Sequence, residues 1–176
     1  NQTPVANFTR TPVTSCSPAT VIFNSTSGQL NNPVYHWDFA NGQTGNAPSD
    51  TITYTAGLYY VSLVVTNTGG CSDTSVKSVV VNQTPTAAAS ISVTQGCSPV
   101  TVSFTNNSLN ATSYSWNFGN GATSTASDPV YTYTTPGVYP VVLTATSAAG
   151  CVDSVLLPLP ISVYENPVAA FTSNPA

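Results

Sequence analysis

The sequence predicts an all-β protein: two tandem β-sandwiches, then the first strand of a third repeat. Three observations lead there. Short segments alternate apolar and polar residues with period two, turn clusters separate them, and no stretch supports an amphipathic helix. The chain also repeats itself. Asn1-Gln2-Thr3-Pro4 returns as Asn82-Gln83-Thr84-Pro85 and Cys16-Ser17-Pro18 as Cys97-Ser98-Pro99, both 81 residues on. Trp37 returns as Trp116 after 79 residues, and Gly70-Cys71 as Gly150-Cys151 after 80. Finally, Pro167-Val168-Ala169-Ala170-Phe171-Thr172 copies Pro4-Val5-Ala6-Asn7-Phe8-Thr9. The expected domains are residues 1–82 and 83–164. Residues 165–176 are then the start of a third repeat, or a strand for a neighbouring unit.

Along the first repeat, Tyr35, Trp37 and Phe39 share one strand face and His36 and Asp38 the other; Tyr114, Trp116 and Phe118 repeat this against Ser115 and Asn117. After Gly57, the face Tyr59, Val61, Leu63, Val65 matches Tyr139, Val141, Leu143, Ala145, which leaves Val64 and Val142 pointing outward. β-Branched and aromatic residues dominate these segments. Turn signals at Ser27-Gly28, Asn41-Gly42, Gly69-Gly70, Asn120-Gly121 and Pro136-Gly137 divide them. About seven short strands in about 80 residues read as a sandwich. The last strand of the second repeat is expected over Val155–Ile161, apolar on both faces. There Pro158 and Pro160 remove two backbone donors from an edge. The connection Val79–Pro85 leaves little slack and contains proline, which predicts a semi-rigid join.

Composition narrows the function. Only 2 basic and 6 acidic side chains occur in 176 residues, and charged residues make up 5%, against about 25% in a typical soluble domain. In their place stand 27 Thr and 22 Ser. Arg10 and Lys77 alone cannot neutralise a phosphate backbone, so nucleic acid is not an expected partner. No apolar run approaches the roughly 18 residues of a membrane span, so membrane insertion is not expected either.

The four cysteines fall two per repeat, and the duplication favours the pairs Cys16–Cys71 and Cys97–Cys151 among the three possible connectivities. Each pair would tie the start of an early strand to the start of the last one. A zinc site, which usually draws on close Cys-x-x-Cys pairs, and a free buried thiol are the alternatives. Disulfides imply an oxidising compartment, hence secretion or surface display.

No catalytic residue, metal ligand or cofactor is expected. The single His36 is replaced by Ser115 in the second repeat, and nothing else suggests a nucleophile with its base. Asp73 and Asp153, two residues after the second cysteine of each repeat, are expected to hydrogen-bond local backbone where the last strand begins. Modification is the better candidate chemistry. Asn7, Asn24, Asn106 and Asn110 open Asn-x-Ser/Thr sequons, as do Asn1 and Asn82. Thr51 and Ser154 follow Asp and precede an aliphatic residue. A sugar coat would give so uncharged a surface hydration and repulsion.

Trp37-Asp38-Phe39-Ala40-Asn41-Gly42 and Trp116-Asn117-Phe118-Gly119-Asn120-Gly121 resemble the Trp-Asp-Phe-Gly-Asp-Gly signature of PKD (polycystic-kidney-disease) domains. Tyr54-Thr55-Ala56-Gly57-Leu58-Tyr59 and Tyr133-Thr134-Thr135-Pro136-Gly137-Val138-Tyr139 are similar to that family's downstream segment. The Cys-Ser-Pro and Gly-Cys elements resemble PKD repeats of large secreted Bacteroidota surface proteins, and Asp50-Thr51-Ile52 and Asp153-Ser154-Val155 the O-glycosylation acceptors of that phylum. The resemblance implies an immunoglobulin-like sandwich used outside the cell as a spacer, adhesive or accessory module. Asn replaces the second Asp of the signature in both copies, and the first in one, which weakens any calcium role for that turn.

The expected function is a non-enzymatic extracellular repeat segment of a fibre, stalk or filament that associates with its own kind. Val168, Ala170 and Phe171 are the candidate strand for addition to a neighbour's sheet. The alternative is an accessory carbohydrate- or protein-binding module of a secreted hydrolase, with Tyr60, Tyr131 and Tyr133 stacking on sugar rings.

Overall fold

The alternating apolar faces are the buried ones in the computed structural model, which describes residues 3–28 and 32–172. The chain divides into two units, residues 1–84 and 85–176. Both are built from strands alone among the described residues.

In the first unit, β1 (Phe8–Thr11), β3 (Ala19–Ser25) and β6 (Ser49–Tyr54) form one antiparallel sheet in the order β1-β3-β6. The facing sheet takes β2 (Thr14–Cys16), β8 (Ser72–Asn82), β7 (Gly57–Thr66), β4 (Val34–Asp38) and β5 (Thr44–Gly45), in that order. Every pairing is antiparallel except β2 on β8, which is parallel and sets Cys16 beside Asn82. Trp37 and Phe39 from β4 and its turn, Phe8, Phe23 and Tyr54 from the opposite sheet, and Val61, Leu63 and Val65 of β7 fill the space between. Phe8 meets the Trp37 ring edge-on at 5.0 Å, and Phe39 stacks on it at 5.7 Å. Such aromatic contacts add to the area they bury.

The polar tips of this core are satisfied by backbone. Trp37 Nε1 donates to the Ala47 carbonyl at 2.8 Å, and Tyr54 Oη to the Phe39 carbonyl at 3.0 Å. Trp116 donates to Ala126 at 3.1 Å, and Tyr133 to Phe118 at 3.0 Å. Tyr54→Phe removes a buried donor and leaves a carbonyl without its partner, at a cost of about 2 kcal/mol. Urea unfolding followed by Trp37 fluorescence in a Trp116→Phe background measures it.

Burial first, then the neighbouring Tyr59 and Asp38, raise the Tyr54 pKa well above its ordinary value; burial, Tyr131 and Tyr139 do so for Tyr133. The unfolded chain ionises its tyrosines near pH 10 while the folded units still hold these protons. The stability they contribute is complete below that pH and is lost as pH rises above it. Urea midpoints at pH 8 and pH 11 should therefore differ less for Tyr54→Phe and Tyr133→Phe than for the parent.

Both basic residues are engaged inside the first unit. Arg10 Nε, on β1, donates to the Ser78 carbonyl of β8. Lys77 Nζ reaches back to Asn7 Oδ1 at 2.7 Å and to the Phe8 carbonyl, and lies 5.1 Å from the centre of the Phe8 ring. They tie one sheet to the other. The second repeat has Ile91 and Leu157 at these places, and both pack into its core.

The second unit has the same plan with an interruption. One sheet is β14 (Val130–Tyr133), β11 (Val100–Asn106) and β9 (Ala89–Ile91). The counterpart of the five-stranded sheet is cut in two. One part is β13 (Thr123–Ser124), β12 (Ser113–Asn117), β16 (Val142–Thr146) and β17 (Val152–Leu156). The other is β10 (Gln95–Cys97), β18 (Ile161–Tyr164) and β15 (Gly137–Tyr139). The continuous strand expected over Val155–Ile161 is thus broken. Pro140, Pro158 and Pro160 have no N–H to give to a ladder. Pro158-Leu159-Pro160 also stands where the first repeat has Ser78 alone, so two extra residues loop out between the buried Leu157 and Ile161.

Candidate functional site

The residues with distinctive chemistry gather at the two ends of each unit. At the leading end, where the chain comes in, the Asn67 carboxamide accepts the Gly69 and Cys71 amides at 2.9 and 3.1 Å, and the Asn67 amide donates to the Cys71 carbonyl at 3.0 Å. A reversing turn results, with Cys71 fixed at its foot. In the second unit Ser147 does the same work: its amide donates to the Cys151 carbonyl at 2.8 Å and its hydroxyl accepts the Cys151 amide at 3.1 Å. Beside each turn, Asp73 Oδ2 accepts the Ala6 amide and Asp153 Oδ2 the Ala87 amide, both at 2.8 Å. These carboxylates fasten the incoming chain, 67 and 66 residues away in sequence. The local bond expected from the sequence is not the one they make.

At the trailing end, the Ser17 amide donates to the Asn82 carbonyl at 2.8 Å and the Ser98 amide to the Tyr164 carbonyl at 2.9 Å. Both Ser–Pro bonds that follow are cis. Cys16 and Cys97 therefore sit against the last residue of the last strand.

This placement corrects the expected disulfides. Cys71 and Cys97 are free thiols, half-buried and exposed respectively, whereas Cys16 and Cys151 are disulfide-bonded. The pairing of Cys16 with Cys71 fails on distance. Because β2 runs parallel to β8, Cys16 lies beside the end of β8 and Cys71 just before its start. Eleven residues of strand span roughly 35 Å at about 3.3 Å each, and a disulfide needs Cα atoms within about 7 Å. Cys97 and Cys151 are separated in the same way by β17, the proline loop and β18.

The signature turns are held by their own side chains. Asp38 Oδ1 accepts the Ala40 amide at 2.8 Å and Asn117 Oδ1 the Gly119 amide at 2.9 Å. Asn41 and Asn120 accept the amides of Gln43 and Ala122 at 3.0 and 3.1 Å. Acid and amide do the same job here, because an oxygen acceptor is all the turn requires. His36 is exposed, its Nδ1 3.4 Å from the side-chain amide of Asn46. Among the described residues, no group of three His, Cys, Asp or Glu side chains is placed to hold a metal ion.

The candidate modification residues are dispersed. Thr51, Ser154, Asn7, Asn24 and Asn110 are exposed and Asn106 is half-buried. Asn7 Oδ1 is occupied by Lys77, and Ser154 Oγ lies 2.9 Å from Thr144 Oγ1. Val168 and Phe171 are each 92% exposed, and residues 165–172 belong to no strand. Of the three tyrosines considered for sugar stacking, Tyr133 is 1% exposed and bonded to Phe118, and Tyr131 stacks on the Phe118 ring at 4.3 Å. Only Tyr60 stands out, 63% exposed.

A family profile described as "PKD domain" matches residues 1–81 and again residues 82–157. Among solved structures, the PKD1 domain of the Vibrio cholerae metalloprotease PrtV is 34% identical, over 45% of this chain and 98% of its own, with a TM-score of 0.40. The PKD1 domain of Vibrio anguillarum Epp is also 34% identical, over 47% and 98%, with a TM-score of 0.40. The I67–I69 fragment of the titin I-band is 12% identical over 94% of this chain and 67% of its own, with a TM-score of 0.51. No curated protein matches the chain.

Proposed function

Because the chain belongs to the PKD-domain family, with two copies in tandem, we propose that it is a non-enzymatic extracellular structural protein: a repeat segment of a surface fibre, stalk or filament. One observation carries this reading. The polar side chains the repeats have in common hold backbone of their own unit, and they do so in duplicate: Trp37 and Trp116, Tyr54 and Tyr133, Asp38 and Asn117, Asn41 and Asn120, Asp73 and Asp153. Their chemistry is architectural. PKD domains and a disulfide suit an oxidising, extracellular setting. No helix of the described residues is long and apolar enough to cross a membrane.

Association with further copies uses the exposed apolar segment Val168, Ala170 and Phe171, which adds as a strand to a neighbouring sheet. Glycans at Thr51 and Ser154, or at Asn7, Asn24, Asn106 and Asn110, hydrate a surface almost without charge. Electron microscopy of the native material tests the reading. Fibres or stalks are expected, and isolated particles of one chain at every concentration would overturn it. Peptide mass spectrometry of the same material locates the glycans.

The accessory-module reading retains one observation, the exposed Tyr60 on β7 near exposed Leu58. Retention of the chain on a polysaccharide column, abolished by Tyr60→Ala, would favour it over the structural reading.

A further inference from the structure

We propose that the first repeat braces itself covalently: Lys77 Nζ attacks the side-chain carbonyl of Asn7, expels ammonia and joins the two residues through an amide. Both lie in the first unit, and the bond fastens its entering segment to its last strand, β8.

The two groups already touch. Lys77 Nζ lies 2.7 Å from Asn7 Oδ1, although 70 residues separate them in sequence. The carbonyl carbon is one C=O bond, about 1.23 Å, from that oxygen, so nitrogen and carbon are at most roughly 3.9 Å apart. Reacting atoms in a near-attack arrangement stand about 3–3.5 Å apart, and the flexible lysine stem covers the difference. The nitrogen is also confined: it donates to the Phe8 carbonyl and lies 5.1 Å from the centre of the Phe8 ring.

The electrophile is held more firmly still. The Asn7 amide donates to Ser27 Oγ at 3.1 Å. Its backbone carbonyl accepts the Thr26 amide at 2.8 Å and the Ser27 hydroxyl at 3.1 Å. Its side-chain oxygen accepts the Phe8 amide at 2.9 Å. Negative charge gathers on that oxygen during attack, and a fixed N–H donor there is what lowers the barrier to acyl transfer. Immediately before it in the chain, Ala6 is pinned by Asp73 Oδ2, on the same strand as Lys77.

The second repeat lacks both partners. Ala88 stands in the place of Asn7, and its amide donates to Ser108 Oγ at 3.2 Å as that of Asn7 does to Ser27. Leu157 stands in the place of Lys77 and packs into the core. Nucleophile and electrophile thus occur together in one repeat and are replaced together in the other.

The step balances without oxidant or cofactor. The Lys77 ammonium gives one proton to water, and the neutral amine adds to Asn7 Cγ. The Cγ–Nδ2 bond then breaks and its electron pair leaves on Nδ2. The departing nitrogen takes one proton from the attacking nitrogen and one from water, so one ammonium is consumed and one released.

Trypsin reads the bond, because the chain offers it two sites, after Arg10 and after Lys77, its single lysine. The folded chain is incubated, reduced, denatured, weighed and digested. The product should be lighter than its sequence by one ammonia, resist cleavage after Lys77, and keep residues 1–10 attached to residues 11–176. Asn7→Ala and Lys77→Arg should keep full mass and release residues 1–10, 11–77 and 78–176 as separate peptides. Full mass and cleavage after Lys77 in a parent chain that circular dichroism shows to be folded would overturn the proposal. So would an ammonia loss that leaves Lys77 cleavable, which marks a succinimide at an asparagine. A glycan on Asn7 of native material would do the same, since the sugar needs the Nδ2 that the reaction expels. Assembly is not among the readouts, so the structural reading can fail without this one.

Discussion

Trp37→Ala should destabilise the first unit by about 4 kcal/mol and leave the second where it is. The indole is wholly buried between Phe8 on its edge and Phe39 on its face. Its removal leaves a cavity that β-sheet backbone on both sides cannot close, and the Ala47 carbonyl loses its donor. The chain has two tryptophans, one per unit, and each is a private fluorophore. In the variant, Trp116 reports the second unit alone while circular dichroism reports both. A reducing urea titration should show a Trp116 transition with an unchanged midpoint, and an earlier step visible only in the dichroism. Trp116→Ala should give the mirror image. Coincident shifts of both steps would mean that the two units unfold as one.

Gly119→Ala should cost the second unit about 3 kcal/mol, and aligning the two repeats would suggest the opposite. The equivalent residue of the first repeat is Ala40, which holds φ +59° in the left-handed region. Gly119 has φ +82°, and a Cβ there would stand 2.4 Å from the Pro140 carbonyl oxygen and 2.9 Å from its nitrogen. Those are backbone atoms and cannot swing aside. Pro140 belongs to the interruption peculiar to the second unit, where the first has Tyr60 within continuous β7. Ala40→Gly should act the other way, relieving left-handed strain at a gain of about 1 kcal/mol. In a Trp37→Phe background, thermal unfolding read through Trp116 should fall by roughly 15 °C in Gly119→Ala. A fall of a degree or two would show that the turn can move.

The core was legible because its signal is local. Trp37 and Phe39, spaced by two, declare a face, and Val61, Leu63 and Val65 declare its partner; both are buried as expected. The family resemblance lay in the same segments. What sequence could not supply was the sense of pairing. The duplication correctly grouped the cysteines into two kinds, but β2 could lie along β8 in either direction, and the parallel choice puts the two kinds at opposite ends. Asp73 and Asp153 misled for a related reason, since their partners Ala6 and Ala87 are some 65 residues away and no spacing announces them. Tyr131 and Tyr133 read as possible stacking rings because an aromatic looks the same whether it faces sugar or Phe118. The break in the last strand was foreshadowed by Pro158 and Pro160. The two inserted residues beside them show only when the buried Leu157 and Ile161 are set against Lys77 and Val79.

The parallel seam between β2 and β8 has a consequence when the molecule is pulled. Tension applied through the two termini of a unit draws the early strand one way and the last strand the other, along their common direction. The bonds from Val80 to Val13 and from Ser17 to Asn82, with the ladder at Thr14, Ser15 and Cys16, lie across that direction. They are loaded in shear and must yield together rather than one by one. The second unit repeats the device with Ser162 on Thr94, Ser98 on Tyr164 and the β10–β18 ladder. Each repeat thus meets a stretching force with bonds in shear, a consequence of the direction of one three-residue strand.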